Sequence, residues 1–178
     1  MISILKQYWG YDHFRGIQQD IIESISAGRD TLGLMPTGGG KSITFQVPAL
    51  AMEGVCIVIT PLIALMKDQV QRLRRLGIRA TAIYSGMSRQ ETLVALDNCV
   101  LGGIKLLYVS PERLASEQSR GHEVSGPMPV FLYSVGTASH GYKPFGNSVS
   151  RVPREAKIQV AIMKWNLVRI NCPGMKVN

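Results

Sequence analysis

Apolar positions along the first two-thirds of the chain alternate between the spacing of helices and the spacing of strands. Ile21, Ile22 and Ile25 lie at helical spacing, which predicts a helix over residues 18–27 that ends at Gly28. Short apolar runs bounded by turn residues predict four strands, over residues 30–35, 55–59, 80–84 and 104–109. Strands and helices that alternate in this way indicate an α/β fold, in which a parallel sheet has helices on both faces.

Further helices complete this pattern. Residues 3–9 form a short amphipathic segment, and Ser88 begins a helix whose first turn it caps together with Glu91, three residues later. Between the second and third strands lies a predicted helix with a buried stripe of Leu62, Leu65, Met66, Val70 and Leu73. Its polar side carries Arg72, Arg74 and Arg75, which we interpret as a solvated face.

Residues 35–42, Met-Pro-Thr-Gly-Gly-Gly-Lys-Ser, lie between the first strand and a helix predicted from Ser42 onward. Three glycines let the backbone bend tightly and turn several N–H groups toward one anion. These are Gly38, Gly39 and Gly40. Lys41 adds a mobile positive charge for the outer phosphates of a nucleotide, and Ser42 adds a hydroxyl for its Mg²⁺. The segment predicts a phosphate-binding loop, although Met35 replaces the first glycine of the general pattern.

The segment upstream of this loop offers a second part of a nucleotide site. If it folds back over the loop, Tyr11 could stack on a purine, and Gln18 could offer donors and an acceptor to a base edge. Arg15 could then orient that pocket. The same residues also fit a simple helix start in which Tyr11 and Phe14 are buried. The residues alone leave both interpretations open.

The ends of the second and fourth strands carry polar residues followed by proline. Thr60 and Pro61 follow the second strand, and Ser110 and Pro111 follow the fourth. In a parallel sheet these ends meet the phosphate-binding loop at one edge, where folds of this kind bind ligands. N–H groups at the start of the helix after Pro61, together with the Thr60 hydroxyl, are suited to contact a nucleic-acid phosphate.

Composition and charge restrict the function less than these motifs do. The formal charge of +8 invites a nucleic-acid partner, but residues 1–117 carry only +2 and residues 118–178 carry +6. No apolar run reaches the roughly 18 residues of a membrane span, and no signal peptide is recognised. We therefore expect a cytoplasmic protein with no membrane partner.

Cys56, Cys99 and Cys172 show no metal-ligand spacing, and two of them lie in apolar runs typical of buried thiols.

Four segments together resemble the RecQ family of superfamily 2 DNA helicases. Residues 10–18, 35–42, 60–69 and 107–114 are similar, in order and spacing, to the family's pre-nucleotide motif and its motifs I, Ia and Ib. The resemblance covers residues 3–117 and implies an incomplete RecA-like P-loop NTPase domain with an irregular C-terminal tail. It also implies an ATP- and Mg²⁺-dependent motor that moves 3′ to 5′ on DNA, single-stranded or at duplex junctions. Such a motor would serve repair and recombination, and in a bacterium it would be nucleoid-associated.

The resemblance implies roles for individual residues as well. Tyr11, Arg15 and Gln18 would hold adenine. The phosphates would be held by Thr37, Gly38, Gly39, Gly40 and Lys41, with Lys41 as the catalytic residue, and Mg²⁺ by Ser42. The DNA strand would be bordered by Thr60, Pro61, Leu62, Ser110 and Arg113, with Pro111 and Glu112 beside them. The sequence does not identify the protein partners.

The resemblance stops after about residue 117, before the position of a further family motif. Family spacing predicts Asp-Glu-Ala-His near residues 130–140, and the sequence has no carboxylate in that window. In that motif, one carboxylate of the Asp-Glu pair positions Mg²⁺ and the other helps to activate the attacking water. Without them, the site for phosphoryl transfer would be incomplete. We therefore predict a partial helicase ATP-binding domain over residues 1–117 and an atypical basic tail over residues 118–178. The tail is either translated out of frame or a genuine segment that binds nucleic acid through its charge.

The motifs and the resemblance together predict a truncated RecQ-type helicase that binds ATP weakly and does not unwind DNA alone. The alternative is a nucleotide- or DNA-binding module without motor activity. A small P-loop kinase fits less well, because the segments around Gln18 and Arg113 would have no role in it.

Overall fold

The computed structural model describes residues 1–36, 38–101 and 103–115, together with four later strands. The helices are α1 Ile2–Trp9, α2 Gln18–Ser26, α3 Lys41–Ala51, α4 Ile63–Arg75, α5 Arg89–Val100 and α6 Pro111–Ala115. The strands are β1 Thr31–Pro36, β2 Val55–Ile59, β3 Ala80–Ile83, β4 Leu106–Val109, β5 His122–Glu123, β6 Val130–Thr137, β7 Ile158–Asn166 and β8 Asn171–Cys172. Within these described residues, no helix has the length and apolar character needed to cross a membrane.

Six of the strands form one sheet in the order β1-β7-β6-β2-β4-β3. Strands β6, β2, β4 and β3 are parallel neighbours, whereas β7 is antiparallel to both β1 and β6. Strand β1 therefore points in the same direction as the parallel block. The loop after β1, Thr60 after β2 and Ser110 after β4 share one edge of the sheet, which we call the carboxyl edge. The short strands β5 and β8 pair separately.

Apolar side chains cover both faces of the sheet, as the parallel α/β pattern predicts. Successive residues of a strand point to opposite faces, so β2 contributes Val58 to one side and Ile57 to the other. Helices α2, α3 and α4 pack on the first face through Ile21, Ile25, Phe45, Ala49, Met66, Val70 and Leu73. Helix α5 packs on the second face through Ala95 and Cys99. The predicted α/β architecture is confirmed.

The N-terminal helix α1 is attached through a smaller apolar cluster. Leu5 of α1, Ile22 of α2 and Val47 of α3 form its buried centre. Because α3 begins directly after the phosphate-binding loop, this packing holds the segment between α1 and α2 beside that loop. The upstream segment therefore lies next to the loop because α1 and α2 pack against α3.

Two strands of the later part of the chain depart from the sequence pattern. Strand β6 was not predicted, because its apolar start gives way to Ser134, Gly136 and Thr137. It nevertheless pairs in parallel with all five residues of β2. Strand β7 is inserted between β1 and β6 and is antiparallel to both. Local patterning does not specify such pairings, because they depend on distant partners.

The two cysteines whose side chains the structure describes are buried thiols, as predicted. Cys56 is 1% exposed and Cys99 is 6% exposed. Burial disfavours the thiolate, and it raises the pKa of each thiol to about 12. Both therefore act as small apolar core residues and not as nucleophiles.

Candidate functional site

The predicted phosphate-binding loop connects the end of β1 to the start of α3. Gly38 and Gly40 have φ angles of 82° and 72°, which L-residues rarely adopt. A Cβ on Gly39 would lie 3.0 Å from the carbonyl oxygen of Pro36, so this glycine allows a close backbone approach. Thr37, which was predicted to contact the phosphates, lies outside the described residues. The loop has the shape of a backbone cradle at a helix N-terminus, where an anion is favoured.

Lys41 lies at the first position of α3 with its ammonium directed back into the loop. Its Nζ donates to the carbonyl oxygens of Met35 at 3.1 Å and Pro36 at 2.5 Å. The side chain is 9% exposed, and desolvation lowers its pKa. The ammonium is thus held at the bottom of the cradle by neutral acceptors, which a phosphate oxygen could replace. Ser42, the predicted Mg²⁺ ligand, follows it at the second position of α3 and is half-buried.

Gln18 joins the upstream segment to the phosphate-binding loop. Its Nε2 donates to the carbonyl oxygens of Gly39 at 3.1 Å and Gly40 at 3.2 Å. Its Oε1 accepts a hydrogen bond of 2.8 Å from the backbone N–H of Arg15. With 4% of its surface exposed, Gln18 lies under the loop and not on an open base-binding surface. Sequence reasoning selected the residue, but it did not foresee these backbone partners.

Tyr11 and Arg15 form an open aromatic and cationic pair beside Gln18. The guanidinium carbon of Arg15 lies 5.3 Å from the centroid of the Tyr11 ring. Tyr11 is 45% exposed, so the alternative in which it is a buried helix-start residue does not describe this structure. Phe14 does follow that alternative, because it packs against the cluster of α1, α2 and α3. The exposed ring is available for stacking.

The residues predicted to contact DNA differ in their accessibility at the carboxyl edge. Leu62 is 61% exposed, and Pro61 beside it is exposed. Thr60 and Ser110 are 2% and 0% exposed, and the hydroxyl of neither has a hydrogen-bond partner among the described residues. Register extends the pairing of β2 and β4 to these two residues, which lie side by side. A nucleic acid at this edge would meet Pro61 and Leu62 before it met either hydroxyl.

Arg113, also predicted to contact DNA, is directed toward the loop that follows β3. Its Nε donates to the carbonyl oxygen of Tyr84 at 3.2 Å, and its Nη2 donates to that of Met87 at 2.7 Å. The guanidinium therefore spans this loop and fixes it next to the carboxyl edge. Sequence reasoning did not identify this role, because the partners are backbone atoms 26 and 29 residues away.

A buried polar network behind the carboxyl edge was also missed by the sequence analysis. Gln46 of α3 donates from Nε2 to Gln69 Oε1 of α4 at 3.1 Å and to the Tyr108 hydroxyl of β4 at 3.3 Å. The network links the helix that follows the phosphate-binding loop to the helix that follows Pro61. Its only signal in the sequence is a glutamine at a position where the helical pattern calls for an apolar residue.

Residues 15–126, which contain Gln18, the phosphate-binding loop and the residues of the carboxyl edge, match the DEAD/DEAH box helicase family. The chain belongs to that family. It is 51% identical over 113 residues to the ATP-dependent DNA helicase RecQ of Synechocystis sp., an alignment that covers 64% of this chain and 24% of that protein. It is 50% identical over 166 residues to the ATP-dependent DNA helicase RecQ of Bacillus subtilis, which covers 90% of this chain and 28% of that protein. The predicted resemblance to RecQ helicases is confirmed.

A solved structure shows the same fold at a greater distance. The crystal structure of a hypothetical ATP-dependent RNA helicase from Sulfolobus tokodaii superposes with a TM-score of 0.52 at 20% identity, over 65% of this chain and 35% of that one. This helicase-family chain spans about a quarter of the length of the RecQ relatives named above. The match to the Bacillus subtilis protein spans 166 residues, so it extends past residue 117 of this chain. The boundary at that residue stays a prediction.

Proposed function

We propose that this chain binds Mg²⁺-ATP at the phosphate-binding loop and DNA at the carboxyl edge, as the front part of a RecQ-type helicase motor. The observation that supports ATP binding most directly is the constellation of Gln18, the glycine cradle and Lys41 in a DEAD/DEAH box family chain. Backbone N–H groups and the Lys41 ammonium would hold the phosphates, and the Ser42 hydroxyl would hold Mg²⁺.

The exposed pair of Tyr11 and Arg15 is the proposed place for adenine. The ring of Tyr11 can stack on a purine. To contact adenine, the Gln18 amide would have to break a hydrogen bond to a backbone carbonyl of the loop and form one to an atom of the base. The Gln18 amide is thus the proposed link between base recognition and the conformation of the phosphate-binding loop.

DNA binding at the carboxyl edge is supported by the similarity to RecQ helicases and by the residues at that edge. Exposed Pro61 and Leu62 precede the N-terminus of α4, whose N–H groups suit a backbone phosphate. We propose that the intact motor uses this edge to track one DNA strand in the 3′ to 5′ direction. The hydroxyls of Thr60 and Ser110 are buried, and their N–H groups donate to the carbonyl oxygens of Val109 and Ile83. These two residues would therefore border the DNA without donating to a phosphate.

A titration of the 178-residue chain with a fluorescent ATP analogue tests the nucleotide site. The wild-type chain should bind the analogue in the presence of Mg²⁺, and Lys41→Ala should weaken binding by at least tenfold, about 1.4 kcal/mol. Lys6→Ala is the matched control, because it removes the same charge from α1. Lys6 forms an exposed ion pair with Asp12, which follows that helix. Equal affinity of wild type and Lys41→Ala would reject the site.

Hydrolysis separates a motor from a binding module. The sequence contains no adjacent pair of carboxylates, so we expect steady ATP hydrolysis by this chain to stay at background. DNA-stimulated turnover that disappears in Lys41→Ala would contradict this expectation. The alternative function, a nucleotide- or DNA-binding module without motor activity, also predicts background hydrolysis. DNA-stimulated turnover would therefore reject that alternative as well.

A further inference from the structure

A basic cleft lies between helix α4 and the edge strand β3. Its volume is about 610 Å³. Helix α4 contributes Lys67, Arg74 and Arg75 to its walls, and β3 with its following loop contributes Ala82, Tyr84 and Met87. We call this feature the basic cleft. It is separate from the phosphate-binding loop, to which none of its lining residues belongs.

The cations of the basic cleft lie on one side of α4 because of their spacing. Lys67 and Arg74 are seven residues apart, which places them on the same side two turns apart, and Arg75 follows directly. Arg72 lies on the same helix but does not line the cleft. At 1.5 Å per residue, the row of positive charge from Lys67 to Arg74 is roughly 10 Å long, enough for two or three successive phosphates of one strand.

Two of these cations are held in place by neutral groups. The Nζ of Lys67 lies 4.9 Å from the centroid of the Tyr84 ring, and the Nε of Arg74 donates to the carbonyl oxygen of Ala80 at 2.9 Å. No carboxylate lines the cleft, and none of the described residues forms an ion pair with Lys67, Arg74 or Arg75. Positive charges that are held in place and have no carboxylate partner favour an anionic ligand.

The outer edge of β3 argues against a peptide as that ligand. A peptide that joins a sheet as an added strand needs a row of open backbone groups. Arg74 occupies the carbonyl of Ala80, and Arg113 occupies that of Tyr84, while the N–H of Tyr84 donates to the Met87 sulfur at 3.4 Å. Both ends of the short strand β3 are therefore blocked to strand addition.

One end of the basic cleft lies at the carboxyl edge. Tyr84 directly follows β3, and Arg113 ties its carbonyl to α6, the helix that follows Ser110. A single nucleic-acid strand that leaves Leu62 could therefore continue past Tyr84 and along α4. We propose that the basic cleft holds two or more successive backbone phosphates of single-stranded DNA through Lys67, Arg74 and Arg75. This inference rests on the proposed DNA-binding function and extends its surface.

The salt dependence of DNA binding tests the basic cleft. Affinity of the full chain for a fluorescent single-stranded oligonucleotide is measured by anisotropy between 50 and 200 mM salt. Lys67→Ala/Arg75→Ala should reduce the slope of log affinity against log salt by about 1.4, since each phosphate contact on a single strand contributes about 0.7. Arg74 is left intact, because it also bonds β3. Arg72→Ala/Arg79→Ala removes the same charge outside the cleft and should leave the slope unchanged.

The possible outcomes separate the basic cleft from the general proposal. Equal slopes for both double variants would reject the cleft while leaving DNA binding in place, and a wild-type chain that binds no DNA would reject both. If a poly-glutamate peptide, and not the oligonucleotide, loses affinity in Lys67→Ala/Arg75→Ala, the cleft binds an acidic protein segment and the inference is wrong. Tyr84→Leu should also reduce the slope, whereas Tyr84→Phe should not, because phenylalanine keeps the ring under Lys67.

Discussion

The side-chain amide of Gln18 lies directly against Gly40. Its Nε2 donates to the Gly40 carbonyl oxygen at 3.2 Å, and a Cβ on residue 40 would lie 2.4 Å from that nitrogen. A side chain on the residue before Lys41 would therefore displace the Gln18 amide, quite apart from the strain of its φ angle of 72°. This contact joins a residue upstream of β1 to the loop that follows β1, so the two predicted halves of the nucleotide site form one unit.

Gly40→Ala should cost both stability and nucleotide affinity. The left-handed backbone conformation costs an L-residue roughly 1–2 kcal/mol, and the added methyl group also displaces the Gln18 amide. We expect an unfolding free energy at least 2 kcal/mol lower in urea denaturation, near the sum of about 1 kcal/mol of strain and about 1 kcal/mol for the lost hydrogen bonds. Affinity for the fluorescent ATP analogue should fall at least tenfold.

Gly10→Ala is the matched control for this prediction. Gly10 has the same φ angle of 72°, at the end of α1, but a Cβ there would meet nothing within 4 Å. It should cost only the backbone strain and leave nucleotide affinity unchanged. If both variants behave alike, strain alone accounts for the effect, and the contact between Gln18 and Gly40 has no role in the site.

Arg113→Lys should loosen the loop after β3 even when no DNA is present. Lysine keeps the charge but cannot donate to the carbonyl oxygens of Tyr84 and Met87 at the same time. Backbone amides of residues 85–88 should exchange with solvent more than fivefold faster, as followed by hydrogen exchange and mass spectrometry. Arg89→Lys, an exposed residue on α5, is the control. Unchanged exchange combined with weaker DNA binding would mean that Arg113 acts on DNA directly.

The sequence predicts the elements that local pattern and short motifs determine. Strand β2 agrees with its predicted bounds, because an apolar, β-branched run between turn residues leaves little choice. The Ser88 cap with Glu91 is present as predicted, with hydrogen bonds of 3.2 and 2.8 Å. The glycine loop before Lys41 also lies where its composition places it. In each case the partners lie within a few residues of one another.

Features that depend on distant partners could not be predicted in the same way. Strand β7 is antiparallel because of its neighbours β1 and β6, which no local pattern reveals. Thr60 and Ser110 are polar residues that follow strands, where exposed loop residues are common, yet both are buried. Arg113 was expected to border DNA because the family resemblance implies it. Its backbone partners, 26 and 29 residues away, have no signal in the local sequence.

The hydrogen bonds of Glu91 predict a dependence of stability on pH. Bonds from the backbone and side chain of Ser88 favour the carboxylate and lower its pKa from the usual value of 4.5. The folded chain therefore binds this proton less readily than the unfolded chain, so the stabilisation is present above pH 4.5 and is lost as the pH falls through the lower, folded pKa. Glu91→Gln should remove this contribution. Denaturation of both proteins between pH 3 and 7 should show a smaller acid loss in the variant, and identical curves would contradict the coupling.

Thr60→Val should leave the chain at least as stable as the wild type. The Thr60 hydroxyl is 2% exposed without a partner, so replacing it by a methyl group of similar size removes a polar group that burial penalises by about 1 kcal/mol. Thr44→Val is the matched control. Thr44 is 1% exposed, but its hydroxyl donates to the Lys41 carbonyl oxygen at 2.7 Å, so its loss should lower the unfolding free energy by about 1 kcal/mol. Affinity for single-stranded DNA should not change in Thr60→Val, because the hydroxyl is buried and the N–H of Thr60 already donates to the carbonyl oxygen of Val109. A destabilised Thr60→Val protein with weaker DNA binding would mean that the hydroxyl turns outward and contacts DNA itself.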